Sequence, residues 1–340
     1  MNLTSNLNTN NQKVIIKATA RLHMGFYDLS SNAGLMYGGL GLSIDAPCIQ
    51  LQISKHHKYE IIDNSQTNIA LKIDNLISNW NDNFYVDAEN QKKHPLQNVQ
   101  VLITHAIPSH VGLGSGTQMA LAIGEGLNQL FDTNLSLAQI AQFAGRGSRS
   151  GIGIGAFSQG GFLVDAGKPI NSQKNKATVP EIQSRLNFPF DWRILLINDA
   201  ALVGLHGTLE SQAFQKLQAV NHSLKNMVLD YMLPALQNND LLTFGTCMQE
   251  LQNYNGDFFA PFQNGRFASK DVANVLIWLQ QNGAPCVGQS SWGPTGFAIL
   301  ESAQQAQQLI TKARLAYVGV PNISFNVVNG NNNGATVKIF

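Results

Sequence analysis

Residues 111 to 124 read VGLGSGTQMALAIG. Glycine at 112, 114 and 116 runs directly into an apolar pattern in which Met119, Ile123, Leu127 and Leu130 share one stripe. The stretch therefore predicts a glycine-rich turn entering a helix over about 116 to 131. Two readings of such a turn stand side by side. In one, the missing side chains let backbone N–H groups converge on a phosphate at the positive end of the helix, with Ser115, Thr117 and Gln118 alongside. In the other, the glycines only let a helix begin close to a strand.

Working outward, NVQVLITHAI (98 to 107) leads into the turn as a strand, and LSLAQIAQFAGR (135 to 146) follows as a second helix with Ser136 as its N-cap. Upstream, VIIKATARLHMGF, GLGLSID, CIQLQIS and KYEIID read as strands, the first two flanking the turn-rich SSNAGLMYGG, and residues 67 to 82 show helical spacing. FLVDAG and DWRILLIND are further strands. The second half is different: residues 208 to 253 are mainly helical, another helix runs over 269 to 282, and CVGQSSWGPTGFAIL is a glycine-rich loop followed by a strand. ESAQQAQQLITKARLAY is a helix and ISFNVVNGNNNGATVKIF a C-terminal hairpin about an Asn/Gly turn. Strands early and helices late give an α+β layout of two lobes.

The 340 residues, 44% of them hydrophobic, suffice for a large core, and the polar first dozen read as a loose tail. With 22 basic against 21 acidic residues and no basic run, nothing points to nucleic acid. The three cysteines, Cys48, Cys247 and Cys286, fit neither a disulfide framework nor a zinc site. No apolar run reaches the roughly 18 residues of a membrane span, and the N-terminus lacks the apolar stretch of a signal peptide, so a cytoplasmic protein is expected.

Four other places carry polar groups suited to chemistry. AGRGSRSGIGIGAFSQGG (144 to 161) sets Arg146, Arg149 and Ser150 among glycines, a fit for a doubly charged oxyanion; the alternative is a solvated loop. GQSSWGPTGFAIL (288 to 300) offers Ser290, Ser291, Trp292 and Gly293 as a third ligand loop or as an ordinary tight turn. In ARLHMGFYDLS, Arg21 and Asp28 are candidates for the reacting centre, Asp28 as a metal or proton group, while His23 is either catalytic or a satisfied structural histidine. His206 and Glu210 stand four apart and could face a cleft together, or Glu210 could serve the helix dipole.

These segments, in this order, resemble the GHMP kinase superfamily. IPSHVGLGSGTQMALA (107 to 122) is similar to its phosphate motif, SSWGPTGFAIL (290 to 300) to its C-terminal motif, and KATARLHMGFYDL (17 to 29) to its first. The resemblance implies a two-domain fold: an N-terminal domain like ribosomal protein S5 domain 2 over 13 to 185, after a tail of 1 to 12, and a ferredoxin-like C-terminal domain over 186 to 340. The kinase carboxylates are missing, however. Gln142 stands near the position of the magnesium-binding Glu, Gly153 stands where many members carry an activating Asp, and no Asp or Glu occurs from Gln142 through Phe162.

RLHMGFYDL, GGLGLSID, GLGSGTQ, GRGSRSGIG with GGFLVDAG, and QSSWGPT together resemble one branch, the β-ribofuranosylaminobenzene 5'-phosphate synthases. That resemblance implies a pentosyltransferase that joins phosphoribosyl pyrophosphate to 4-aminobenzoate or 4-hydroxybenzoate in methanopterin biosynthesis. CO2 and pyrophosphate would be released, with Mg2+ as cofactor and a homodimer as assembly. Pyrophosphate then falls to Gly112, Gly114, Ser115, Gly116, Thr117 and Gln118, and substrate anions to Arg146, Arg149 and the groups named with them. The metal falls to Asp28 and Thr117. Two competing readings are an ATP-dependent small-molecule kinase with relocated carboxylates and a non-catalytic protein that binds a phosphorylated ligand.

Overall fold

The structure, a computed structural model, describes residues 12–28, 35–36, 38–84, 95–169, 179–202, 204, 222–263 and 265–340. The alternation expected at the start of the chain builds β1 (Lys13–Asp28), whose Val14, Ile16, Ala18 and Leu22 are fully buried. After the two-residue β2 (Leu35–Met36) comes β3 (Gly38–Lys55), which takes in both GLGLSID and CIQLQIS as one long strand. β4 (Glu60–Asp63), α1 (Ala70–Phe84) and β5 (Val99–His105) follow. The turn at 112 to 114 then opens α2 (Ser115–Phe131). Ser136 caps α3 (Leu137–Phe143), its side chain accepting from Gln139 N while Gln139 accepts from the Ser136 backbone.

The glycine-rich segment after α3 is not all loop. Residues Ile152–Ser158 form α4, and the strands β6 (Phe162–Asp165), β7 (Lys168–Pro169) and β8 (Ile182–Leu186) come next. A seven-stranded sheet carries the C-terminal strand Thr336–Ile339 (β13), then β1, β3, β5 and β4, with β6 paired to β3 and β8 to β6, and α2 lies across β1 and β3. The stripe expected on α2 is the one that packs: Ile123, Leu127 and Leu130 are within 1% of full burial, each worth about 1.5–3 kcal/mol.

Between Leu186 and Arg193 the chain leaves this sheet for a second, four-stranded one, in which Cys286–Gln289 (β10), Gly296–Leu300 (β11), Arg193–Asp199 (β9) and Ile323–Val328 (β12) lie side by side in that order. β9 (Arg193–Asp199) is followed by α5 (His222–Met227), which continues through a π turn at Val228–Met232 into Leu233–Gln237. Then come α6 (Leu241–Gln263) and α7 (Lys270–Gln281), capped by Ser269. β10 (Cys286–Gln289), β11 (Gly296–Leu300), α8 (Ala303–Ala316), β12 (Ile323–Val328) and β13 (Thr336–Ile339) complete the chain. Residues 208 to 221 of the expected helical stretch lie outside the described residues.

The expected C-terminal hairpin is corrected. β12 pairs with β9 and β13 with β1, so the two strands belong to different sheets. The Asn-rich connection is used up in between: Asn329 donates to both carboxylate oxygens of Asp45, and Asn331 donates from its backbone N to Ser43 O and from Nδ2 to Thr19 Oγ1. These polar groups fasten the segment to β1 and β3 instead of closing a two-residue turn.

Candidate active site

The phosphate turn is held from three sides. Arg21 on β1 donates from Nη1 to Gly112 O at 2.6 Å, and Ser290 donates to the same carbonyl at 2.8 Å while accepting from His23 N at 3.0 Å. Gly112 has φ +88°, and a Cβ there would stand 2.4 Å from Ser290 O, so this glycine serves close approach of two loops rather than a ligand. Gly114, φ +78°, is the N-cap of α2 and has no side chain to occupy the helix N-terminus. The Arg21 guanidinium packs over it at 3.2 Å from its Cβ direction.

The second glycine segment is tied to the first. Gln118, fully buried, donates Nε2 to Gly153 O at 2.8 Å, and a Cβ on Gly153 would be 2.9 Å from the Thr117 methyl. Asp165, which sequence reasoning did not single out, organises this segment from beneath. Its buried carboxylate accepts from Ser150 Oγ (2.6 Å), Gly151 N (2.8 Å), Gly39 N and Gly167 N (both 3.0 Å). Burial pushes its carboxyl above the usual range against the pull of these four bonds. The visible signal was an acid closing an apolar strand just before glycine, in FLVDAG.

The third loop is joined to β1 by α6. Asn255 bonds both Phe26 N and Phe26 O at 2.9 Å where Gly25 (φ +134°) bulges the strand, and Gln252 donates to Met24 O at 2.6 Å and Gln289 O at 3.2 Å. Ser291 N donates to His23 O at 2.8 Å, and Trp292 meets Phe259 edge to face with centroids 4.3 Å apart.

Two cavities meet here. One of about 580 Å³ lies between α1 and the phosphate turn, with Lys72, Asn75 and Asn79 of α1 in its wall. The other, about 260 Å³, is walled by the 145–150 segment, His23, Phe26, Ser291 and Trp292. Arg21, Thr117 and Arg146 belong to both walls. Arg146 is held there with its Nε buried and without a hydrogen-bond partner among the described residues, and burial lowers its pKa below the usual guanidinium value. Together the two walls carry Arg21, Lys72, Arg146 and Arg149, and no carboxylate among their described residues.

The structure thus brings Arg21, His23, the 112–118 turn, Arg146, Arg149, Ser150 and Ser291 to Gly293 to one place. It does not bring Asp28 there. Asp28 ends β1 opposite Gly38, seven residues and roughly 20 Å of strand beyond Arg21, with Oδ2 3.8 Å from Lys225 Nζ. Asp28 and Thr117 therefore do not stand together, and Ser150 and Ser290 spend their hydroxyls on Asp165 and Gly112. His206 and Glu210 lie outside the described residues. Among those described, no group of three His, Cys, Asp or Glu side chains could hold a metal, and only the hydroxyls of Ser115 and Thr117 stand at the turn. These residues fit an anion better than a resident magnesium ion.

Comparison with known proteins settles the kinship. The sequence matches the family description "GHMP kinases N terminal domain" over residues 83–161 and "GHMP kinases C terminal" over 232–319. It is 30% identical over 299 residues to the beta-ribofuranosylphenol 5'-phosphate synthase of Archaeoglobus fulgidus, covering 84% of this chain and 88% of that one. The chain belongs to the family of these synthases. The protein so named from Methanocaldococcus jannaschii is 29% identical, with 84% and 89% covered. The fold of this synthase family member is the GHMP kinase fold. Homoserine kinase from Cytophaga hutchinsonii superposes with a TM-score of 0.57 at 17% identity, covering 99% of this chain and 100% of that one. Mevalonate diphosphate decarboxylase from Staphylococcus aureus gives 0.59 at 13%, covering 96% and 98%. No helix among the described residues is long and apolar enough to cross a membrane.

Proposed function

We propose that this protein joins the 5-phosphoribosyl group of phosphoribosyl pyrophosphate to a 4-substituted benzoate, with loss of CO2 and pyrophosphate. The observation that carries the reading is the pair of connected cavities whose described walls hold four cations and no carboxylate. Two anionic substrates suit such walls, and a kinase that must deprotonate an alcohol does not. The curated relatives are named for a ribofuranosylphenol, the product expected from 4-hydroxybenzoate, which favours the hydroxy acid over 4-aminobenzoate. Methanopterin biosynthesis is the pathway we propose for the product.

In this reading the phosphate turn and Arg146 receive the pyrophosphate at the junction of the cavities, and the ribose 5-phosphate extends into the larger one towards Lys72. The C1–oxygen bond of the ribose breaks and its electron pair leaves with pyrophosphate. The ring carbon that bears the carboxylate then forms the new C–C bond. Breakage of the bond to the carboxylate returns its electron pair to the ring and releases CO2. No proton has to be removed from the nucleophile, so the lack of a base at Gly153 is consistent with the chemistry. What the residues must supply is charge complementarity, alignment and a site closed to water.

The test is incubation with phosphoribosyl pyrophosphate, magnesium and carboxyl-labelled 4-hydroxybenzoate or 4-aminobenzoate, without ATP. Release of labelled CO2 is expected. If neither acid loses its label while ATP-dependent phosphorylation of a small alcohol is seen, the kinase reading replaces this one.

A further inference from the structure

We infer that the 260 Å³ cavity is the acceptor-acid site and that His23 accepts a hydrogen bond from the para hydroxyl or amino group of the ring. This rests on the reaction proposed above. The cavity has two unlike ends. At one end its wall is shared with the larger cavity, through Arg21, Thr117 and Arg146. At the other it is shared with a narrow aromatic pocket through His23, Phe26, Ser291 and Trp292.

β1 sets the distance between the ends. Arg21, Leu22 and His23 pair in regular register with Ser43, Leu42 and Gly41, so Arg21 and His23 project from one face about 7 Å apart. That separation matches the length of a para-substituted benzoate lying along the strand. The carbon that attacks the ribose must face the pyrophosphate, so the carboxylate end belongs with Arg21 and Arg146, and the para group is carried to His23. Phe26, whose ring lies 4.6 Å from that of His23, and Trp292 supply aromatic surface for the ring between them.

His23 is built for this contact. It is 5% exposed, and both ring nitrogens are buried with no hydrogen-bond partner among the described residues, a costly arrangement that a ligand would relieve. Burial, reinforced by the neighbouring Arg21 charge, holds its pKa at about 3, so the imidazole is neutral and keeps a lone pair to accept with. As the ring attacks, positive charge develops on the para heteroatom and its proton becomes more acidic. An acceptor at that point draws the proton towards the imidazole nitrogen and strengthens electron donation into the ring; as CO2 departs the positive charge is lost and the proton settles fully on the heteroatom.

The experiment compares 4-hydroxybenzoate with 4-methylbenzoate, which has the same shape but no proton to donate. Calorimetric binding is measured on the full chain with phosphoribosyl pyrophosphate absent, and turnover of the hydroxy acid is measured separately. Wild-type protein is expected to prefer the hydroxy acid by roughly tenfold, about one buried hydrogen bond. His23→Leu should abolish that preference and lower kcat, with KM for phosphoribosyl pyrophosphate unchanged. His23→Gln, whose amide oxygen can accept, should restore part of both. A preference that survives in His23→Leu overturns the assignment to His23 alone. Failure of the wild-type protein to bind or turn over either para-hydroxy or para-amino acid overturns the reaction reading and this one together.

Discussion

Gln118 donates its amide to the carbonyl of Gly153 at 2.8 Å, while the Thr117 methyl fills the space where a side chain on Gly153 would begin. Thr117 and Gln118 of the phosphate turn are thus interlocked with Gly153, the glycine that stands where many kinases of this superfamily carry an Asp.

Gly153→Asp is therefore expected to destabilise the protein by about 1–3 kcal/mol and to give no kinase activity. Helix propensity is not the obstacle, since position 153 lies in the first turn of α4, where an acid is welcome. The obstacle is the 2.9 Å approach to the Thr117 methyl. Thr117→Ser removes that methyl, so the double variant should recover much of the loss. Urea unfolding of the four proteins in the cycle measures the coupling, and simple additivity would contradict the interlock.

In the proposed arrangement Arg146 is held for a ligand rather than for the fold: it is buried in the shared wall of the two cavities, and its Nε has no hydrogen-bond partner among the described residues. Arg146→Met should cut turnover by roughly a hundredfold, in line with the loss of one charge-stabilising donor, yet leave the melting temperature equal or higher. Arg146→Lys should rescue little, since a point charge cannot reproduce the guanidinium fork. A large fall in melting temperature with turnover retained would make Arg146 structural.

How much of this was legible can be read residue by residue. The α2 stripe and the Ser136 cap were visible because they are local patterns with fixed spacing. The role of Gly112 was not: the sequence offered a phosphate cradle or close packing, and packing holds at 112 because Ser290, 178 residues away, presses its carbonyl there. The same is true of Asp165 and Ser150, which look unrelated until β6 and β3 pair and bring Gly39, Gly151 and the carboxylate together. Asp28 stands away from the cavities for the same reason, since proximity in sequence to Arg21 becomes distance along an extended strand. The C-terminal hairpin failed because partner choice for a strand is non-local.

Ser290→Ala tests whether the three loops act as a unit. The hydroxyl is fully buried and bridges His23 N to Gly112 O, so its loss leaves His23 N unpaired and Gly112 O with the Arg21 donor alone, at a cost of about 1–3 kcal/mol. Turnover should fall although Ser290 touches no substrate in the proposed arrangement, because Gly112 and His23 belong to the two substrate walls. Thermal unfolding and steady-state kinetics check the two halves, and wild-type values in both would dismiss the bridge.

His23 also predicts a pH dependence of stability with a definite sign. Its pKa is about 3 when folded, against 6.5 in the unfolded chain, so between those values the unfolded state binds more protons. Stability from this residue is fully present above pH 6.5 and is lost as pH falls towards 3. At pH 5 the loss amounts to about 2 kcal/mol, 1.5 pH units at 1.36 kcal/mol each. His23→Leu carries no such term, so its stability relative to wild type should improve by about that amount between pH 8 and pH 5 in denaturant titrations. An identical pH dependence for the two proteins would mean that folding does not hold the imidazole neutral between pH 6.5 and 3, and the buried setting on which its acceptor role rests would be contradicted.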